Sequence, residues 1–140
     1  MEKQRIMPSG HWDWSMPVPF SQGWAVKDCK LIFVGGQISA DEHGRTIGVD
    51  DIATQTRNVF ESIRSVLSEA GADMSDIVKF NTFYVFNGPD EELTEYWEEL
   101  TKVRLEFLKE PGPCGTAVRV VGLAYPDLLI EVEAIAVVPA

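Results

Sequence analysis

Two glutamates in one apolar segment, a cysteine in a proline- and glycine-rich turn, and an aromatic stretch near the start are the residues of this chain best suited to chemistry. Glu131 and Glu133, in "LLIEVEAIAVV", are two apart, so on a strand they share a face. A carboxylate in a water-poor cleft can take a proton from water and return it to a leaving group, which is what hydrolysis needs. The turn "PGPCGTAVRV", residues 111–120, sets prolines and glycines around Cys114. Glycine lets a ligand or another backbone approach closely, so Gly115 suits the wall of a small-molecule site, with the Thr116 hydroxyl beside it. Cys114 reads as a small buried hydrophobe, since no neighbour in sequence favours its thiolate. "GHWDW" adds His11, Trp12, Asp13 and Trp14 within an N-terminal arm, residues 1–16, whose aromatic content gives it the means to fold over a pocket. His11 and His43 have no partner at metal-ligand spacing, and Cys29 and Cys114 form no CxxC pair. No metal, no cofactor and no disulfide is expected.

The elements that must position these groups alternate in period. "SQGWAVKDCKLIFVGGQIS" reads as two strands, the second broken at Gly35 and Gly36 as at a bulge. From Asp50 the period becomes helical, with Ile52, Val59, Phe60, Ile63, Val66 and Leu67 on one face, Asp50 or Asp51 at the N-cap and Gly71 beyond the end. "DIVKFNTFYVF" reads as a strand. A second helix with the stripe Leu93, Tyr96, Trp97, Leu100, Val103 and Phe107 runs until Pro111 stops it. "TAVRVV" and the segment holding Glu131 are the last strands. The order β-β-α-β-α-β-β, with two helices of about 20 residues, implies a two-layer α+β domain with both helices on one face of the sheet. Ile38, Phe80, Phe83 and Phe86 offer more apolar surface than two helices can cover, so self-association is expected to bury the rest.

Composition narrows the function classes. The chain has 140 residues, 45% of them hydrophobic, which suits a single domain spanning 1–140 with a core of its own. Lys plus Arg number 12 against 22 Asp plus Glu, a formal charge of −10. Such a surface repels phosphate backbones and anionic lipid, so neither a nucleic-acid nor a membrane partner is expected. The start lacks an apolar leader and no run of about 18 apolar residues occurs, which points to a cytoplasmic protein.

Four stretches in this order, "VPFSQGW", "LIFVGGQIS", "IATQTRNVFESIRSVLSEAGA" followed by "DIVKFNTFYV", and "LLIEVEAIAV", resemble the RidA (YjgF/YER057c/UK114) family across roughly residues 17 to 138. The resemblance implies a chorismate-mutase-like fold with a mixed sheet, assembled as a homotrimer with small-molecule clefts between subunits. It implies hydrolysis of an imine, enamine or related C–N compound to ammonia and an oxo product. Glu131 matches the glutamate that orients the hydrolytic water, and Gly36 and Gln37 match a turn whose backbone lines the pocket. Phe20 stands where a tyrosine is common. The family's arginine, which pairs with the substrate carboxylate from the turn before the penultimate strand, falls on Gly115. Arg119 shares that strand face, but four residues at about 3.3 Å each put its Cα about 13 Å away, too far to replace it directly. The implied enzyme is therefore a deaminase with an atypical substrate range, its pocket lined by Phe20, Gly36, Gln37 and Gly115; the sequence itself adds Cys114 and Thr116 beside that turn and Trp14 from the arm, which has no counterpart in the family. The alternative is a trimer that binds small molecules without turnover, or a chaperone-like protein.

Overall fold

The change of period at Asp50 marks the longest helix. In the computed structural model, which describes residues 1–14 and 16–140, α1 spans Ile52–Glu69. Asp51 caps it by accepting the Thr54 amide at 3.0 Å. Gly71, at φ 74°, closes it: the Gly71 and Ala72 amides donate back to the Ser68 and Leu67 carbonyls at 3.1 and 2.9 Å. Only a residue at ease with positive φ permits that closure. Ile52, Val59, Phe60, Ile63 and Leu67 are buried as the period requires, whereas Val66 lies off the stripe and is 37% exposed.

The strands are β1 (Glu2–Ile6), β2 (Gly23–Lys27), β3 (Cys29–Ile38), β4 (Ile77–Tyr84), β5 (Cys114–Arg119) and β6 (Ile130–Pro139), and the second helix is α2 (Leu93–Arg104). A four-stranded sheet has the order β3-β6-β4-β5. Its β4–β5 pair is parallel and the other pairs antiparallel, so the sheet is mixed. Ile32, Val34, Phe80, Ile130, Val132, Ala134 and Ala136 share one core with Phe60, Ile63, Leu67, Leu100 and Val103. This α+β arrangement carries both helices on one face, and alternation along β6 sends Glu131, Glu133 and Ile135 to the other. The predicted bulge is present: the β3–β6 register shifts between Val34 and Gln37, across the two glycines.

Three expectations need correction. The segment read as an N-terminal arm carries a strand, since β1 pairs antiparallel with β2 from Glu2 opposite Lys27 to Ile6 opposite Gly23. "EKQRI" has no apolar alternation because the strand is mostly exposed and held by backbone pairing. The element order is therefore β-β-β-α-β-α-β-β. The second helix has 12 residues, not about 20. A 3₁₀ turn (Asp90–Glu92) precedes it, and Phe107 and Leu108 are buried by the turns that follow it. The strand expected at "TAVRVV" begins two residues earlier, at Cys114, and ends before Val121, which is fully exposed. Among the described residues no helix is long and apolar enough to cross a membrane.

Candidate functional site

The candidate residues fall into two groups on opposite faces of the sheet. Glu131 sits on β6 directly opposite Ile38 of β3 and Phe83 of β4. Its carboxylate lies where a Cβ on Gly36 would be, so the glycine bulge leaves the acid a slot against bare backbone. Gln37 lies opposite Val132 and turns its amide onto the Gly35 carbonyl at 3.0 Å. Glu133, next along this face, accepts from Asn81 Nδ2 at 3.0 Å. A hollow of about 290 Å³ opens beside it, lined by Phe33, Gly35, Lys79, Asn81 and Glu133 among others. Lys79 and Asn81 were not anticipated from sequence; their signal was the alternation around Phe80, which marks a polar strand face.

The proline–glycine turn serves first as a clasp. Ser21 Oγ donates to the Gly112 carbonyl at 2.5 Å and Trp24 Nε1 to the same oxygen at 3.1 Å. The Ser21 amide donates to the Pro113 carbonyl at 3.2 Å. A Cβ on Gly112 would overlap the Pro19 and Phe20 backbone, and one on Gly115 the Phe80 carbonyl. Both glycines are thus required by close approach of backbone to backbone. Cys114 donates its thiol to the Val78 carbonyl at 3.2 Å, and burial pushes that thiol up, away from nucleophilic use. Thr116 lies opposite Asn81 in the β4–β5 ladder. Arg119 donates to the Phe86 carbonyl at 2.7 and 3.1 Å and to Asp90 at 3.1 Å, so it is engaged away from Gly115.

On the helix side of the β5 edge the aromatic segment packs down. Trp14 lies 6.2 Å from Trp97, nearly parallel, and 5.9 Å from Phe20, edge-on; Trp12 lies 5.6 Å from Phe20. Beneath them a narrow crevice is lined by Trp14, Phe20, Thr82, Trp97, Gly115 and Arg104. The Arg104 guanidinium stands over the rings of Phe80 and Trp97, 4.8 and 5.3 Å from their centroids. Burial pulls its pKa down to about 10, so it stays cationic at neutral pH. Sequence reading missed Arg104 because a cation in a last helical turn ordinarily faces water. Its spacing two turns beyond Trp97 was the available signal. His11 and Asp13 each accept the amide that follows, at 2.8 Å.

Comparison with known proteins agrees over most of the chain. The family described as Endoribonuclease L-PSP matches residues 15–138. A RutC family protein of Pyrococcus abyssi is 38% identical over 84% of this chain and 85% of its own. The 3-aminoacrylate deaminase RutC of Acinetobacter baylyi is 32% identical over 97% and 98%. Among solved structures, the Rid-family protein YyfB of Yersinia pestis superposes with a TM-score of 0.80 at 27% identity, covering 99% of this chain and 100% of that one.

Proposed function

Because the chain belongs to the Endoribonuclease L-PSP family, the YjgF/RidA group, we propose that it is a deaminase that hydrolyses a small imine or enamine. The observation that carries this reading is the Glu131 carboxylate set into the Gly35–Gly36 bulge. There Glu131 takes a proton from water as the oxygen adds to the C=N carbon and passes it to nitrogen; it then carries the hydroxyl proton of the resulting carbinolamine to nitrogen as the C–N bond breaks. Water and imine become a carbonyl and ammonia; an enamine enters by way of its imine tautomer. The cleft that holds the substrate is completed by neighbouring subunits of a homotrimer. Leu31 and Phe33, 49% and 70% exposed, supply apolar surface on the sheet face away from the helices. The family name also suggests RNA cleavage, which a net charge of −10 disfavours.

The substrate range follows from Gly115, whose position has no room for the family's arginine. Imines anchored by a carboxylate should be poor substrates of the Glu131 cleft, and uncharged ones better. The test is ammonia release from both kinds of imine, generated in situ, by the parent and by Glu131→Gln. The variant keeps side-chain volume but cannot exchange the proton, so kcat is expected to fall by about 10²- to 10⁴-fold with little change in affinity. Turnover of a good substrate by Glu131→Gln at the parental rate overturns the assignment. A parent that binds imines and releases no ammonia points instead to a binding protein, the reading that the absent clamp favours.

A further inference from the structure

We propose that Asn87 is a site of spontaneous deamidation, and that its isoaspartyl product releases the clamp by which Arg119 holds the entrance to α2. Three asparagines occur in the chain, Asn58, Asn81 and Asn87. Asn58 donates its amide to Ser39 Oγ at 3.1 Å, and Asn81 donates to Glu133 at 3.0 Å. Asn58 lies in α1 and Asn81 in β4, where regular hydrogen bonding fixes the backbone. Asn87 is exposed and lies outside helix and strand. Neither its side chain nor the Gly88 amide that follows enters a hydrogen bond among the described residues. Gly88 has no side chain to hinder ring closure. Packing preserves the pair: a Cβ on Gly88 would run into the Phe86 ring, which stacks against Tyr96 at 4.6 Å.

The chemistry needs only water. The Gly88 amide nitrogen gives up its proton to solvent and attacks Cγ of Asn87. The new C–N bond closes a succinimide ring as the bond from Cγ to Nδ2 breaks, and ammonia leaves with a proton from solvent. Water then opens the ring. Attack at Cγ restores the ordinary main chain, with aspartate at 87. Attack at the main-chain carbonyl breaks its bond to nitrogen, and the chain then runs through Cβ and Cγ as isoaspartate. In either case one water enters and one ammonia leaves, but isoaspartate puts an extra carbon into the backbone. Arg119 makes that carbon consequential. It holds the Phe86 carbonyl at 2.7 and 3.1 Å on one side of the pair and the Asp90 carboxylate at 3.1 Å on the other. Asp90 opens the 3₁₀ turn that leads into α2. A longer backbone between two fixed points displaces one of them. The Asp90 side chain is 88% exposed, so its end of the clamp costs least to free. Neither product involves Glu131, so this chemistry does not depend on deaminase activity in the chain.

The test is mass spectrometric. The folded protein is kept in warm neutral buffer and sampled over weeks. Trypsin then releases the peptide Phe80–Lys102, which carries Asn81 and Asn87 together. Asn87 is expected to lose its amide as fast in the folded protein as in that peptide incubated alone, whereas Asn58 and Asn81 keep theirs in the folded protein. Methyl transfer by an isoaspartyl methyltransferase should label the aged parent. It should not label an equally aged Asn87→Gln, whose longer side chain cannot close a five-membered ring. In the isoaspartyl form, the amides of Glu92 to Trp97 should exchange with deuterium about two- to fivefold faster than in the parent, the worth of an exposed ion pair. Asn87→Asp has the same charge on an ordinary backbone and should exchange at the parental rate. Retention of the Asn87 amide in the folded protein while the free peptide loses it overturns the modification site, as does equal loss at Asn58 and Asn81. Parental exchange in the isoaspartyl form, or equal acceleration in Asn87→Asp, overturns release of the clamp.

Discussion

A Cβ on Gly36 would run into the Glu131 carboxylate, the free end of a flexible side chain, whereas a Cβ on Gly115 would run into the Phe80 carbonyl, which is fixed in the sheet. The two substitutions should therefore separate activity from stability. Gly36→Ala can be absorbed by swinging the carboxylate aside, so its unfolding midpoint in urea should stay near the parent's while deaminase kcat falls. Gly115→Ala must displace backbone and should lose about 1–3 kcal/mol, the usual range for overpacking. Equal destabilisation by both would mean that the Gly36 slot is structural and unrelated to the acid. The sequence carried Glu131 and both glycines, because motif and spacing are local. It did not carry Arg104, because partnership with Phe80 and Trp97 is a fact of packing between α2 and β4. A search along β5 for another cation could reach only Arg119, which is tied to Phe86 and Asp90.

At the scale of elements, α1 shows what was legible and why. Its stripe, its cap at Asp51 and its closure at Gly71 depend on residues within the helix and one turn beyond it, and all three were readable. β1 depends on pairing with β2 across the intervening loop, and nothing within "EKQRI" announces that. The cap also makes a pH prediction. Hydrogen bonds from the Thr54 amide and hydroxyl hold the Asp51 carboxyl below its usual range. The folded value lies below the unfolded one, so the stabilisation is complete above the unfolded value of about 3.9 and is lost as pH falls through the folded value. Asp51→Asn keeps a capping oxygen but does not titrate. It should hold its urea midpoint near neutrality and lose less of it at about pH 3 than the parent does. A parallel decline in both proteins would remove Asp51 from the acid limb.

For the whole molecule, the sheet face away from the helices is where assembly is expected. Phe33 is 70% and Leu31 49% exposed there, beside the hollow that reaches Glu133, and we propose this apolar surface as the contact between subunits. Sedimentation equilibrium should give three times the 15.6 kDa chain mass, and Phe33→Glu should yield monomers that have lost deaminase activity. A fully active monomer would refute the shared cleft. The clasp between the proline–glycine turn and the first strands has a consequence for synthesis. Ser21 and its acceptor Gly112 are 91 residues apart, and a ribosome adding about 5–20 residues per second needs roughly 5–18 s to cover that span. Throughout that interval Trp12, Trp14 and Phe20 have neither the turn nor α2 to pack against. Ribosome-bound chains stalled short of Gly112 should be cut by chymotrypsin at these aromatics. Chains in which an added C-terminal linker carries the turn clear of the exit tunnel should resist, so closure of the clasp ends the vulnerable period.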